Sequence, residues 1–182
     1  MIELLTPRLR IRDHVESDLE THHELLSDER AMRYIRDIAC ETLDESHENL
    51  SAAIRDIANP DRKFYFLRIE DRETGAHIGE IGYTITDRNP AGAIAEVGYF
   101  LRPEHWGRGY ATEAFRELIR FAFAEGGVYR ICCGCSAKNR ASEAVMQKCG
   151  LILEGVLKDH HWHDGGLCDR LLYRVLKSEW RG

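Results

Sequence analysis

Between Ala95 and Ala114 the chain passes from an alternating apolar segment, Ala95-Glu96-Val97-Gly98-Tyr99-Phe100-Leu101, through Arg102-Pro103 and two glycines, Gly107 and Gly109, into an amphipathic stretch. Alternation with a period of two calls for a half-buried strand. The spacing of Ala111, Phe115, Leu118, Ile119, Ala122 and Phe123 calls for a helix with one apolar face. A sheet carrying a helix on its face is therefore the least this chain can fold into. The junction has chemistry of its own, because free N–H groups at a helix start, approached through glycines, form a natural phosphate site. Two familiar phosphate loops are excluded. No Gly-Lys-Ser/Thr closes the segment, and Thr112 stands where a Gly-x-Gly-x-x-Gly fingerprint needs its third glycine.

The remaining pattern extends this unit in both directions. Thr6–His14 reads as a strand with Leu9 and Ile11 on one face. Ser17-x-x-Glu20 reads as a capping box opening a helix through Leu26, and a short helix is expected over Asp28–Ile35. Thr42-x-x-Glu45 is a second capping box, followed by the stripe Leu43, Leu50, Ile54 and Ile57. Phe64–Glu70 and His77–Thr86 read as a hairpin turning at Asp71–Gly75. After the helix ending near Gly126-Gly127 come a strand over 130–136, a helix over Arg140–Cys149, and strands near Leu151–Lys158 and Cys168–Leu176. Hairpins early and a helical crossover later imply a mixed sheet with helices on both faces.

No repeat or linker divides the 182 residues, so a single domain over 1–182 is expected. Charge begins at Glu3, unlike a signal peptide, and no apolar run approaches the roughly 20 residues of a membrane span. The expectation is a cytoplasmic protein without a membrane partner. A net charge of −6 argues against nucleic acid and mildly favours a cationic substrate. The six cysteines include Cys132-Cys133-Gly134-Cys135, yet on a strand Cys132 and Cys135 face opposite ways. Free thiols, and no metal, follow from that geometry.

Trp106-Gly107-Arg108-Gly109-Tyr110-Ala111 resembles the Gln/Arg-x-x-Gly-x-Gly/Ala loop of the GNAT superfamily of acyl-CoA-dependent N-acyltransferases, with Trp106 replacing the usual Gln/Arg. That replacement, with Tyr-Ala-Thr-Glu-Ala after the second glycine, is similar to the ribosomal-protein N-terminal acetyltransferase (RimJ/RimL-like) branch. The likeness runs nearly end to end: Thr6-Pro7-Arg8-Leu9-Arg10-Ile11-Arg12 resembles its first strand and Ile78-Gly79-Glu80-Ile81-Gly82 its hairpin. Asn139-x-x-Ser142, Lys148-Cys149-Gly150-Leu151 and Glu154-Gly155 resemble its fourth helix and next strand, and Asp169-x-Leu171-x-Tyr173 with Glu179-Trp180 its last strand and tail. The implied fold is α/β (α+β), a mixed, mostly antiparallel sheet of six to seven strands flanked by helices. In it, strands four and five splay apart and acyl-CoA lies in the gap.

The resemblance implies acetyl transfer from acetyl-CoA to a primary amine by direct attack, with a protein N-terminal α-amine (ribosomal-protein alanine or serine type) as acceptor. A small-molecule amine such as an amino acid, polyamine or aminoglycoside is the alternative acceptor, and a non-catalytic acyl-CoA-binding module the alternative role. It assigns the diphosphate to the N–H groups of Gly107, Arg108, Gly109, Tyr110, Ala111 and Thr112, with Arg102 and Arg108 adding charge. The pantetheine arm goes to the backbone of Phe100, Leu101 and Arg102 and to Asn139. Ser142 falls near the thioester sulfur. Met146 occupies the place of a tyrosine that many relatives use as the acid, and since a thioether has no proton to donate, the acid role passes to Ser142 or a water it holds. Glu96 is the candidate general base, with Glu80 and His105 behind it; Glu80 is also a candidate holder of the substrate amine. Tyr34 and the loop Arg36–Glu41 border the acceptor pocket, and the hairpin Tyr83–Gly92 and the run His160–Gly166 are expected to control acceptor choice, the latter being either a substrate lip or an exposed turn. The resemblance leaves the oligomeric state open, with a homodimer as one option, since relatives often dimerise and an exposed last strand can pair.

Magnitudes bear on the base. An α-amine of pKa ~8 is about one-tenth neutral at pH 7, whereas a lysine amine of pKa ~10.4 is less than about one-thousandth neutral. An α-amine therefore needs only a modest base.

Overall fold

In the computed structural model, which describes Met1–Gly182, the alternating segments become β1 (Glu3–Leu5), β2 (Leu9–Asp13), β3 (Phe64–Asp71), β4 (His77–Asn89), β5 (Gly92–Leu101), β6 (Val128–Ser136), β7 (Ile152–His163) and β8 (Gly166–Leu176). They form one sheet in the order β1-β2-β3-β4-β5-β6-β8-β7. Every pairing is antiparallel except β5 with β6, which α3 (Tyr110–Ala124) joins by a crossover. The expected mixed sheet is present with eight strands instead of six to seven. The additional strand is Glu3–Leu5, which folds back onto Arg10–Arg12.

The two sheet faces are covered differently. Ile81, Tyr83, Val97 and Tyr99 point toward α3, whose Phe115, Leu118 and Ile119 are fully buried in the main core. Glu80 and Phe100, directly opposite one another on β4 and β5, point to the other face. There they meet α1 (Leu19–Leu26), where Phe100 packs on Leu25 and Leu26. Much of this second face is charged. Arg12 forks onto Asp18 at 2.8 Å with each nitrogen and reaches Glu70 at 2.5 Å, while Arg68 holds Glu70 at 2.8 Å. Burial alone would raise the Asp18 carboxyl, but hydrogen bonds from Arg12, His14 and the Val15 N–H, with the Arg68 charge, together outweigh it and hold Asp18 far below the usual carboxylate range. Breaking such a pair strands a buried charge, a far larger cost than the net gain of forming it.

Two local expectations change. Ser17 opens no capping box: the Asp18 carboxylate, already committed to Arg12, accepts the Val15 N–H at 2.9 Å and starts a single 3-10 turn before α1. Asp28–Ile35 is not a helix, because the Asp28 side chain takes the N–H groups of Arg30 and Ala31 and closes a turn instead. The Thr42 box stands as read. Thr42 Oγ1 accepts the Glu45 N–H at 3.2 Å, and Glu45 returns the contact at the head of α2 (Leu43–Ile57). The last strand in sequence, β8, lies inside the sheet between β6 and β7, so the strand left open at that edge is β7. No helix is long and apolar enough to cross a membrane.

Candidate active site

The parallel pairing of β5 with β6 is short, running from Ala93–Val128 to Glu96–Cys132. Beyond Glu96 the strands separate, leaving the β6-facing edge of Val97–Leu101 without a strand partner. Ala93 N–H donates to Gly127 O at 3.0 Å, toward β6, and Arg102 N–H to Ile78 O at 3.0 Å, toward β4. Backbone groups alternate along a strand, so those of Val97, Tyr99 and Leu101 face the gap while those of Phe100 and Arg102 face β4. Of the three residues expected to line the slot, Leu101 alone offers it main-chain groups. The Leu101 carbonyl is already taken by the Trp106 indole N–H at 2.9 Å, which ties the glycine loop to the strand end. An open strand edge of this kind is a ready partner for an extended, amide-bearing ligand.

The loop after β5 ends in a cradle. Gly107 and Gly109 have φ of +72° and +81°, in the left-handed region that favours glycine, and Gly109 is the residue from which α3 starts. The N–H groups of Tyr110, Ala111 and Thr112 find no acceptor in the chain. A Cβ at Gly107 would meet nothing within 4 Å. The arginine at this loop is Arg8, which the sequence reading had only as part of the first strand. Its Nη1 donates to Arg108 O at 3.0 Å, its Nε to Glu113 at 2.7 Å, and its guanidinium lies 4.5 Å from the Tyr110 ring centre. Arg102 turns away, donating to Thr21 O at 3.0 Å and Glu24 at 2.6 Å. Arg108 is exposed.

Across the gap, α4 (Arg140–Lys148) follows β6 directly. Asn139 caps it, its Oδ1 accepting the Ser142 N–H at 3.1 Å. The Ser142 hydroxyl lies 2.9 Å from the Tyr99 hydroxyl, and Met146 is fully buried. All six cysteines are free thiols. Burial pushes Cys135 up to about 11 and Cys149 up to about 12, so neither is a ready thiolate nucleophile.

A cradle of unpaired amides at one end of an unpaired strand edge fits acetyl-CoA. Residues 8–152 match the family profile of the acetyltransferase (GNAT) domain. The chain is a member of the GNAT acetyltransferase family. It is 30% identical over 176 residues to the uncharacterized N-acetyltransferase YoaA of Bacillus subtilis, covering 96% of each chain. Over 91 residues it is 33% identical to the ribosomal-protein-serine acetyltransferase of Escherichia coli, covering 50% of this chain and 51% of the other. The spermidine N-acetyltransferase of Vibrio cholerae, solved with CoA and spermine, superposes with a TM-score of 0.82 at 22% identity, covering 96% and 98% of the two chains. This GNAT chain is thus an acetyl-CoA-dependent N-acetyltransferase.

The acidic candidates of this GNAT site occupy contrasting surroundings. Glu96 sits on the α1 face of β5 with 53% of its side chain exposed, 3.4 Å from Arg170. Its setting is solvated, with no apolar enclosure around the carboxylate. Glu80 is fully enclosed. His22 donates to it at 2.7 Å, His14 lies 3.7 Å away and His77 3.8 Å. Burial would raise the Glu80 carboxyl, but attraction to His14 and His22 and the His22 hydrogen bond outweigh it and hold Glu80 at about 2. Burial likewise lowers His22, yet the hydrogen bond and attraction to Glu80, with smaller help from Asn49 and Asp18, leave it raised; His77, without such a bond, is pushed down to about 4 by burial. Glu80 is therefore a buried ionised partner of histidines and not an open amine holder. His105 stands against Tyr110 beside the cradle, with ring centres 6.1 Å apart.

Segments far apart in sequence close the remaining side. Tyr34 stacks on His163 at 4.7 Å between ring centres and donates to Lys138 O at 3.3 Å, while Arg33 pairs with Asp164 at 2.5 Å. The run His160–Gly166 is thereby joined to the turn before α2 and to the loop before α4, with Trp162 exposed at its rim.

Proposed function

We propose that this GNAT enzyme acetylates the α-amine at a protein or peptide N-terminus, as the RimJ/RimL-like branch does. The observation that carries this reading is the solvated state of Glu96 beside the hollow at Gly98. A Cβ at Gly98 would meet nothing within 4 Å, so the α1 face of β5 has room for an acceptor next to the slot. Glu96, two residues along the same face of β5, is exposed and faces Arg170, while the deeper carboxylate, Glu80, is locked by His22. Such a site suits an amine that is already about one-tenth neutral at pH 7 and is poorly matched to a lysine-like ammonium. The 33% identity to the E. coli ribosomal-protein-serine acetyltransferase supports the same class of acceptor.

In this reading Glu96 takes the amine proton through a water, and the amine attacks the thioester directly. The N–H groups of Tyr110, Ala111 and Thr112 hold the diphosphate, with Gly107 and Gly109 permitting close approach and Arg8 bordering them. The free amide of Asn139 and the backbone of Leu101 and Tyr99 orient the pantetheine arm, and Ser142 faces the departing sulfur. The buried, protonated Cys135 and Cys149 support transfer without a covalent enzyme intermediate.

The test uses acetyl-CoA with short peptides bearing a free N-terminus, the same peptides blocked there but carrying a lysine, and spermidine. Acetylation of the free α-amine, located by mass spectrometry, is the expected result. Turnover confined to spermidine or to the blocked lysine peptides would overturn the reading.

A further inference from the structure

Tyr99 is the β5 side chain that hydrogen-bonds α4 across the gap. Its hydroxyl lies 2.9 Å from Ser142 Oγ and 3.0 Å from Ser142 O. Its ring is anchored beside Phe115, with centres 5.3 Å apart, on the core side of the sheet. The contact thus fixes the width of the gap on the side of Asn139 and Ser142. The two hydroxyls carry one proton each. The Ser142 carbonyl can only accept, so the single Tyr99 proton is shared between Ser142 O and Ser142 Oγ; when it goes to Oγ, the Ser142 proton is released from Tyr99 and the Cys135 sulfur is the one neighbouring group left to compete for it. Burial raises the Tyr99 phenol far above its ordinary value, so it remains a donor throughout the working pH range.

We infer that Tyr99 is a positioning residue for acetyl transfer, aiming the Ser142 hydroxyl at the departing sulfur in the place of the α4 tyrosine that Met146 replaces. The inference rests on the reading that puts Ser142 beside the thioester. In the reaction the amine nitrogen bonds to the acetyl carbon, the carbon–sulfur bond breaks and its electron pair passes to sulfur. The amine proton leaves through water toward Glu96, and the thiolate takes its own proton from solvent on release. Ser142 and Tyr99 transfer no proton in this scheme. They supply two hydrogen bonds in series to the charge developing on sulfur, the second polarising the first.

The test compares the unmodified protein with Tyr99→Phe, Ser142→Ala and the double variant. Tyr99→Phe keeps the ring against Phe115 and removes only the hydroxyl; thermal melting confirms folding. Titration of the thiol of CoA bound to the full chain, followed by the ultraviolet absorbance of the thiolate, needs no acceptor. Loss of the Ser142 donor should raise the proton affinity of the bound thiol about tenfold or more, and Tyr99→Phe about fivefold. With a free-N-terminus peptide, kcat should fall about a hundredfold in Ser142→Ala and about tenfold in Tyr99→Phe, with KM for acetyl-CoA unchanged. The double variant should match Ser142→Ala alone. If Ser142→Ala shifts the thiol and Tyr99→Phe does not, the positioning role is overturned. If Tyr99→Phe has its full effect in the Ser142→Ala background, Tyr99 acts independently and the inference also falls. If neither variant moves the thiol, the Ser142 reading fails and takes the inference with it. A thiol response without peptide turnover would instead overturn only the acceptor class.

Discussion

The gap between β5 and β6 and the buried network under α1 lie within the same sheet and follow opposite rules. At the gap the chain removes side chains and leaves main-chain donors unpaired: Gly98 and Gly107 are open, a Cβ at Gly109 would meet only the tip of Arg8 at 3.5 Å, and the N–H groups of Tyr110–Thr112 have no acceptor. Under α1 it buries Arg12, Asp18, Arg68, Glu70, His22 and Glu80, with each charge facing an opposite one. Unpaired donors await a ligand from outside, so they must stay near solvent, where water serves in the ligand's absence. Buried charges admit no such substitute and must be satisfied from within. Recognition is therefore carried by absences that a larger residue would fill, and the frame by partners that a smaller residue would orphan.

This contrast can be broken most sharply at Gly109. Gly109→Trp puts a large side chain at a positive φ and into the cradle, so binding of acetyl-CoA and CoA should vanish by calorimetry while the fold melts cooperatively. ATP and NAD should bind neither form. Unaltered CoA affinity in the variant would show that the cradle does not hold the diphosphate.

On the frame side, Asp18→Ala should cost about 3 kcal/mol in denaturant unfolding, since it leaves Arg12 without its main buried counter-charge. A cost near that of an exposed pair, under about 1 kcal/mol, would mean that water reaches the network.

Acid titration then tests Glu80. Its folded value of about 2 lies below its ordinary 4.5, so the stability it contributes is complete above pH 4.5 and is lost as pH falls through about 2. Glu80→Gln should be less stable at neutral pH and lose less stability between pH 4.5 and 2. Parallel acid limbs for the two proteins would refute the buried ion pair.

The smallest effect belongs to Arg8, which borders the cradle while also bonding Glu113 and the Arg108 carbonyl. Arg8→Ala should weaken acetyl-CoA about fivefold, with the loss diminishing as salt rises, because the side chain is half exposed. An affinity unchanged at low salt would make Arg8 purely a clamp on the loop.

What was legible in advance follows the range of the forces involved. Positive φ at Gly107 and Gly109, the alternation of Val97–Leu101 and the Thr42–Glu45 box are settled within a few residues, so the cradle, the strand before it and the head of α2 could be read directly. The Asp28–Ile35 helix and the Ser17 box failed because local side-chain competition from Asp28 and Asp18 outbid the helical pattern. Arg8 was not legible at the loop for another reason: it reaches the loop through Glu113, a contact made across the fold, while Arg102 turns to Thr21 and Glu24. The solvation of Glu96, the enclosure of Glu80, the stacking of Tyr34 on His163 and the Tyr99–Ser142 bridge are likewise products of strand order and splay. The chain's own pattern determined strands, helices and a glycine-built loop at a helix start, because dihedral preference and apolar periodicity act locally, and its likeness to the GNAT family gave their arrangement in one sheet. Tertiary structure alone decided which carboxylate meets water and which hydroxyls meet across the gap, because burial and long-range pairing exist only once distant strands are set side by side.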